Sequence, residues 1–404
     1  MGYRIRKLEI KTRKQGMDEF AKIGSTLPGQ KIMIGKLFPV AFKIKDVDIR
    51  AANILKQEML ARMGDVVTSR ETLMNSGGLT DVIILGTKKG VISLIDKIRI
   101  QPFGLKKLSE ELSGYLDYIG GKISVKMFRV AEKSFDLGIE GALIMGILNV
   151  TPDSFYDGGL YSSAAEMQKR ADKIVSEGAH IIDVGGLSTR PGSKPVAADE
   201  ELERIIPAIK YIKAKHDILI SVDTYRAEVA EKAIREGAVI VNDISGHTFD
   251  SKMAGVVAHY GVWTVIMHIK GTPVNMQINP VYGDVIDEIY DFLYDRTVAA
   301  IEAGIGRDKI IIDPGLGFGK NLEHNLRIIS GLSDFTNMGY PVMVGASRKS
   351  FIGALLDAES PVKRLEGSLS AAVCAFINGA SILRVHDVKK TREAIKIAAG
   401  IYHI

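Results

Sequence analysis

Residues 142–150 read ALIMGILNV, an apolar run with no polar break until Asn149 near its end. A strand without polar alternation has to be covered on both faces, which is the condition of a parallel sheet packed under helices. Runs of the same kind recur at 180–184, 218–223, 239–243, 262–268, 309–313, 341–345 and 381–386, making eight with the first. Between them lie amphipathic stretches of helical period, clearest over 164–176, 199–214, 226–235, 286–303 and 363–378. Several close on a charged last turn and a glycine, as at Arg235-Glu236-Gly237. Eight βα units in the 263 residues from 142 to 404 predict a closed (β/α)8 TIM barrel, an α/β fold of about 250 residues. An open doubly wound sheet is the rival arrangement, and the polar residues separate the two. The carboxyl ends of the eight runs carry Asn149, Asp183, Asp223, Asn242 with Asp243, His268, Asp313, the Ser347-Arg348-Lys349 turn, and Arg384 with His386. A barrel gathers all of these around one mouth, where enzymes of this architecture work.

Outside the barrel, residues 1–135 read as a small separate α/β domain. Residues 31–45 alternate in a strand-like way, and 48–63 have helical spacing with Ala51, Ile54, Leu55 and Met59 on one side. Residues 82–85 read as a second strand, followed by helices over 90–97 and 105–119. A polar, glycine-containing connection near 132–141 leads into the barrel domain, 142–404. This first domain shows no metal spacing, nucleotide loop or catalytic pair; a docking, dimerising or stabilising part is the expectation, and the sequence assigns it no specific role. With 46% hydrophobic and 25% charged residues the chain is an ordinary globular one. Its net charge of +5 is scattered rather than clustered, which excludes nucleic acid as a partner and leaves room for a small anion. No apolar run reaches the roughly 18 residues of a membrane span, and no secretory signal opens the chain, so a cytoplasmic protein is expected. The single cysteine, Cys374, lies in the apolar stretch 371–377 and is expected to be buried and inert.

The strand ends suggest a ligand with two different flanks. A carboxylate can accept two parallel hydrogen bonds from an amino group beside a ring N–H, which suits Asp223 and Asp313 to a heterocycle. Asn242 adds a donor and an acceptor. Arg190 and Thr189 in the loop 188–192, with Arg384 and His386 at the last strand, suit a diphosphate. Loops after strands 7 and 8 are the usual phosphate position in such barrels. Asn149 offers a neutral oxygen for Mg²⁺ held against that diphosphate, whereas no His or Cys spacing fits zinc. The stretch 315–320, GLGFGK, fails both the P-loop and the dinucleotide templates. Its glycines read as letting backbone approach a flat ligand beside Asp313, on which Met267 and Phe318 could stack.

Eight blocks, taken in order, carry a family resemblance. They are NVTPDSF at 149–155, STRPG at 188–192, SVDT at 221–224, Asn242-Asp243, Met267-His268, Asp313-Pro314-Gly315, SRKS at 347–350 and RVHD at 384–387, and together they closely resemble dihydropteroate synthase. The resemblance implies a transferase of folate biosynthesis that condenses 6-hydroxymethyl-7,8-dihydropterin diphosphate with 4-aminobenzoate, releasing diphosphate. Carried over residue by residue, it implies that Asp223, Asn242, Asp313 and Lys349 hold the pterin and that Asn149 is the Mg²⁺ ligand. Thr189, Arg190, Arg384 and His386 would engage the diphosphate or the aminobenzoate, with Ser350 near the aminobenzoate carboxylate. Lys349, Arg190 and Asp157 are the expected catalytic residues, Asp157 stabilising a transient pterin methylene cation. The loops 153–163 and 188–195 would close over the second substrate, and the family implies a homodimer. Leu187 stands where the family usually has an acidic residue, so an altered arylamine acceptor is a variant reading. The pterin-binding domain of a corrinoid-dependent methyltransferase is the second alternative, although it needs no diphosphate site.

Overall fold

The computed structural model describes residues 3–10, 12–74, 77–119, 127–151, 160–187 and 196–402, in two compact units, 1–123 and 124–404. In the first unit, β1 (Pro39–Asp48), β2 (Asp65–Thr68) and β3 (Leu79–Thr87) form an antiparallel sheet in the order β1-β3-β2. Along β3, Thr80, Val82 and Ile84 are buried while Leu79, Asp81 and Leu85 face out. The buried row packs with Leu55 and Met59 of the helix Ile49–Leu60 and with Leu94 of the helix Lys88–Ile98. The helix Leu105–Ile119 follows. The strand expected over 31–45 begins only at Pro39. Thr26 accepts the Gly29 N–H and Pro28 occupies the first turn, so 27–33 is a helix instead. Strand β2, of four residues, is too short for its period to be read.

The second unit holds the barrel. Its strands are β6 (Leu143–Asn149), β7 (Ile181–Gly185), β8 (Leu219–Asp223), β9 (Ile240–Asp243), β10 (Trp263–Met267), β11 (Ile310–Asp313), β12 (Met343–Val344) and β13 (Ile382–Val385). All are parallel, in the order β11-β10-β9-β8-β7-β6-β13-β12, and an isolated parallel bridge between Ile312 and Val342 joins the two ends of the ring. The eight runs therefore form the expected α/β barrel.

The strands do alternate, but between two apolar surroundings. Ile182, Val184, Ile220, Val222 and Leu383 point outward to the helices, whereas Leu143, Ile181, Leu219, Ile240, Trp263, Ile311 and Ile382 point inward and form an apolar floor. Two residues further along, most of the inward positions turn polar, with Met145 and Val265 still part of the apolar floor. The stretch expected as a connection supplies the underside of that floor. β4 (Met127–Val130) and β5 (Lys133–Asp136) form an antiparallel hairpin, and Leu137–Glu140 is a short helix. Phe128 and Val130 join the floor cluster, with the Phe128 and Trp263 ring centroids 4.6 Å apart. A barrel interior is a packed core, and its lower end would otherwise leave Trp263 and its neighbours uncovered.

Cys374 is exposed, contrary to the expectation from its apolar surroundings. On the helix Leu365–Ile377 the buried positions are Ser368, Ala372, Ala375 and Phe376, and Cys374 falls on the other side. No helix among the described residues is long and apolar enough to cross a membrane.

Phe128 is 1% exposed and its ring meets the chain's one tryptophan. Phe128→Ala is expected to lower the stability of the barrel unit by about 3–5 kcal/mol. Denaturant unfolding followed by Trp263 fluorescence reads this directly, and a midpoint equal to the parent's would show that the hairpin is not part of the cooperative core.

Candidate active site at the barrel mouth

Above the apolar floor, β7, β8, β9 and β13 turn Asp183, Ser221, Asn242 and Arg384 into the interior. Arg384 Nε lies 2.6 Å from Asp183 Oδ2 and Nη2 lies 2.6 Å from Asp223 Oδ2. Asn242 Nδ2 donates to the same Asp183 oxygen at 3.0 Å. One guanidinium thus bridges two acids that are almost wholly buried, at 0% and 12% side-chain exposure. Burial pushes the Asp223 carboxyl up to about 7, against the pull of Arg384 and with the help of Asp183. Burial lowers the affinity of Arg384 for its proton, but the two carboxylates outweigh it and raise its pKa. Among the described residues, Asp183 Oδ1, Ser221 Oγ and Asn242 Oδ1 are buried without a hydrogen-bond partner.

One level higher the mouth begins. A Cβ built on Gly185 would lie 3.5 Å from Asp223 Oδ2 and 3.6 Å from Asn149 Oδ1, so the amide of β6 and the acid of β8 flank the open space beside that glycine. Asp313, at the end of β11, accepts the Gly315 N–H at 2.7 Å. Burial raises its pKa, opposed by Lys349 and by that N–H. Lys349 reaches across from the turn after β12. Its Nζ donates to the Leu316 carbonyl and sits 4.6 Å from the Phe318 ring centroid. Burial pulls its pKa down to about 8, with Asp313 opposing. The turn that aims it is unusual, because Arg348 has φ 58°, a conformation non-glycine residues seldom adopt. A two-pronged pair with Asp387, at 3.0 and 2.7 Å, and a bond from the Arg348 N–H to Ser368 Oγ at 2.9 Å hold it there.

His386 is neutral. Burial, with Arg384 and Arg348 nearby, pulls it down to about 3. Its Nδ1 lies 3.0 Å from Ser347 Oγ. Met267 and Phe318 share an apolar cluster with Ile244, Ile269 and Met276. Ser350 is exposed at the first position of the helix Ser350–Leu356. The structure therefore gathers Asn149, Asp223, Asn242, Met267, Asp313, Phe318, Lys349, Ser350, Arg384 and His386 around strand ends of one barrel. Asp157, Thr189 and Arg190 lie outside the described residues, as do most of the two loops expected to close.

Three features differ from the reading of the strand ends. Arg384, expected at the diphosphate or the aminobenzoate, also bonds Asp183 and Asp223 one level down, and its side chain keeps 21% exposure. Asp243 faces away from the interior and holds the following turn, accepting from Ser245 N and Oγ at 2.7 Å each and from His247 N at 3.2 Å. Two of the three glycines of 315–319 are required by neighbouring backbone, and a Cβ on the third, Gly317, would lie 3.0 Å from the Lys349 side chain. Gly315 and Gly319 have φ 70° and 68°, and a Cβ on either would run into the carbonyl oxygen of His268 or Lys270. The loop after β11 is thus pressed against the chain leaving β10. Lys320 and Asn325, which brace that loop, gave no sequence signal beyond the glycine spacing itself.

The buried triad makes a pH-dependent prediction. The folded chain holds the Asp223 proton more tightly than the unfolded chain does, so this group's contribution to stability falls as pH rises from the ordinary carboxylate range through about 7. Arg384→Met removes the counter-charge and is expected to cost about 3–5 kcal/mol near pH 8, much of it recovered near pH 5 as the carboxyl takes up a proton. Equal losses at the two pH values in denaturant titrations would show that the guanidinium acts by packing alone.

Comparisons with known proteins fit this geometry. Residues 145–386 match the family of pterin binding enzymes. A dihydropteroate synthase from Streptococcus pyogenes is 45% identical over 261 residues, 64% of this chain and 96% of that protein. The solved dihydropteroate synthase from Clostridium difficile, determined in the presence of pteroic acid, aligns with TM-score 0.62 and 42% identity over 65% of this chain and 97% of its own. That from Xanthomonas albilineans with 4-aminobenzoic acid aligns with TM-score 0.65 and 37% identity, covering 70% of this chain and 100% of its own.

Proposed function

This chain belongs to the pterin binding enzyme family and, within it, to the dihydropteroate synthases of folate biosynthesis, and from that membership we propose how its barrel mouth divides the work. The substrates are 6-hydroxymethyl-7,8-dihydropterin diphosphate and 4-aminobenzoate. The observation that carries the assignment of the pterin flank is the orphaned Asn242 Oδ1, a buried acceptor near Asp223 and under the same mouth as Asp313. A buried acceptor without a donor costs free energy, and the ring N–H and amino groups of a pterin would supply what is missing. Asp223 and Asp313 accept from the pterin, Lys349 donates to it, and Met267 and Phe318 bound its faces.

The diphosphate flank is formed by His386, Ser347 and the loop bearing Thr189 and Arg190. His386 acts there as a neutral donor. Asn149 fits a weakly held divalent cation. It is one neutral oxygen, the Asp223 carboxylate that flanks Gly185 with it is already engaged by Arg384, and among the described residues no group of three His, Cys, Asp or Glu could hold an ion. Such an ion would take most of its oxygens from diphosphate and water. When bound, Mg²⁺ supplies charge neutralisation to the leaving diphosphate.

The reaction needs no enzyme nucleophile. The C–O bond to the diphosphate breaks, the electron-rich pterin stabilises the methylene carbon, and the aminobenzoate nitrogen forms the new C–N bond and loses a proton. The protein's part is to hold the two reactants in line and to favour charge leaving on one side. Asp157 is assigned to the developing cation, and Ser350, exposed at a helix start, to the aminobenzoate carboxylate. Working in the cytoplasm and as a homodimer is part of the same reading, and sedimentation of the purified chain tests the second point.

A diphosphate-release assay run side by side with 4-aminobenzoate and with a ribosylated arylamine decides the acceptor, and turnover only with the latter would overturn it. Asp223→Asn and Lys349→Ala are each expected to lower kcat/KM by about a hundredfold or more with the fold intact by circular dichroism. In the parent, kcat/KM for the pterin substrate should fall as pH rises through about 8, where Lys349 loses its proton. Near-normal kcat/KM in either variant would remove the pterin flank from these residues.

A further inference from the structure

Lys320 follows the glycine loop and is 2% exposed, yet none of the chemistry assigned above uses it. Its Nζ lies 2.9 Å from the Phe318 carbonyl oxygen, 3.4 Å from the His268 carbonyl oxygen and 2.9 Å from His268 Nδ1. The two carbonyls can only accept, so two N–H bonds point at them. The third contact is satisfied in either protonation state, because an ammonium donates to the imidazole nitrogen and a neutral amine accepts from it. Burial pushes the pKa of Lys320 well down, and Asp313 opposes that shift. The contacts hold in both cases, so the side chain behaves as a strut between the loop after β11 and the end of β10.

The strut has a counterpart on the loop's other side. Asn325 Oδ1 accepts the Gly317 N–H at 2.7 Å, and its Nδ2 donates to the Lys320 carbonyl at 3.3 Å. The loop so braced carries two things that Lys349 touches, the Leu316 carbonyl and the Phe318 ring. It also brings Phe318 into the cluster that contains Met267.

We propose that Lys320 is a positioning residue for the pterin subsite: by tying the Phe318 and His268 backbones together it sets the gap between Phe318 and Met267 and the place of Lys349 Nζ. The lysine of this glycine-rich stretch thus turns back onto its own loop instead of toward a phosphate. The inference rests on the assignment of the pterin flank given above.

The test uses the full chain and steady-state kinetics with each substrate varied in turn. Lys320→Met is of similar length and removes all three polar contacts. Its KM for the dihydropterin diphosphate is expected to rise about tenfold or more, with the KM for 4-aminobenzoate within about twofold of the parent. A role in stability alone would lower Tm and leave both KM values near the parent's or move them together, and either result overturns the proposal. Lys349→Ala is run in parallel. If it raises the pterin KM and Lys320→Met does not, the strut fails while the subsite stands; if neither does, the subsite assignment fails and the strut with it. Should Lys320→Met not accumulate as folded protein, Lys320→Gln, which keeps an amide donor for one carbonyl, is held to the same split between the two KM values.

Discussion

A guanidinium between two buried carboxylates governs what the interior of this barrel can be. Asp183 and Asp223 project from neighbouring strands, and two like charges at that depth would not both stay ionised without a cation beside them. Arg384 provides it from β13, and only Oδ2 of Asp223 is bonded to it in the structure. Such a triad is costly to desolvate and adds little to net stability compared with well-packed apolar residues. Its effect is to divide the barrel. Below it, apolar side chains fill the interior; above it, polar strand ends face the mouth beside the apolar cluster of Met267 and Phe318. The same bonds fix the side chain of Asp223 before any ligand arrives, so little ordering remains to be done on binding.

Around that fixed centre the mouth relies on local conformations that are uncommon elsewhere. Arg348 is held left-handed by Asp387 and Ser368, and the loop after β11 runs so close to the chain leaving β10 that two of its positions exclude a Cβ. Such conformations persist where surrounding contacts over-determine them. Here those contacts converge on one side chain. Lys349 is aimed by the strained turn from one direction and received by the Leu316 carbonyl and the Phe318 ring from the other.

The barrel was legible because parallel strands covered on both faces leave long apolar runs, and eight of these in succession have few alternative packings. The ring of site residues was legible for a related reason: parallel strands all end on one side, so the last polar residue of each run marks the mouth. What the runs do not reveal is depth. Asp183 and Arg384 each lie within their strands rather than beyond them, and a linear pattern does not distinguish a residue facing the mouth from one facing a partner inside. Asp243, one residue after Asn242, points the opposite way for the reason that side chains alternate. The braces were hidden because Lys320 reaches His268, 52 residues away, and Asn325 reaches back to Gly317 and Lys320, largely through backbone atoms, which carry no residue-type signature. Cys374 was misjudged because an apolar neighbourhood in sequence does not say which side of a helix faces the core.

The floor has a bearing on where this protein can be cut. The family match begins at Met145, in the first barrel strand, but the aromatic cork beneath Trp263 comes from the hairpin that precedes it, at 127–136. The barrel unit is therefore longer than the stretch the family model matches. A fragment trimmed to 145–386 would leave a bottle without a bottom, its innermost apolar ring facing water, whereas one that starts ahead of Met127 keeps the vessel sealed and frees the amino-terminal unit to be studied apart.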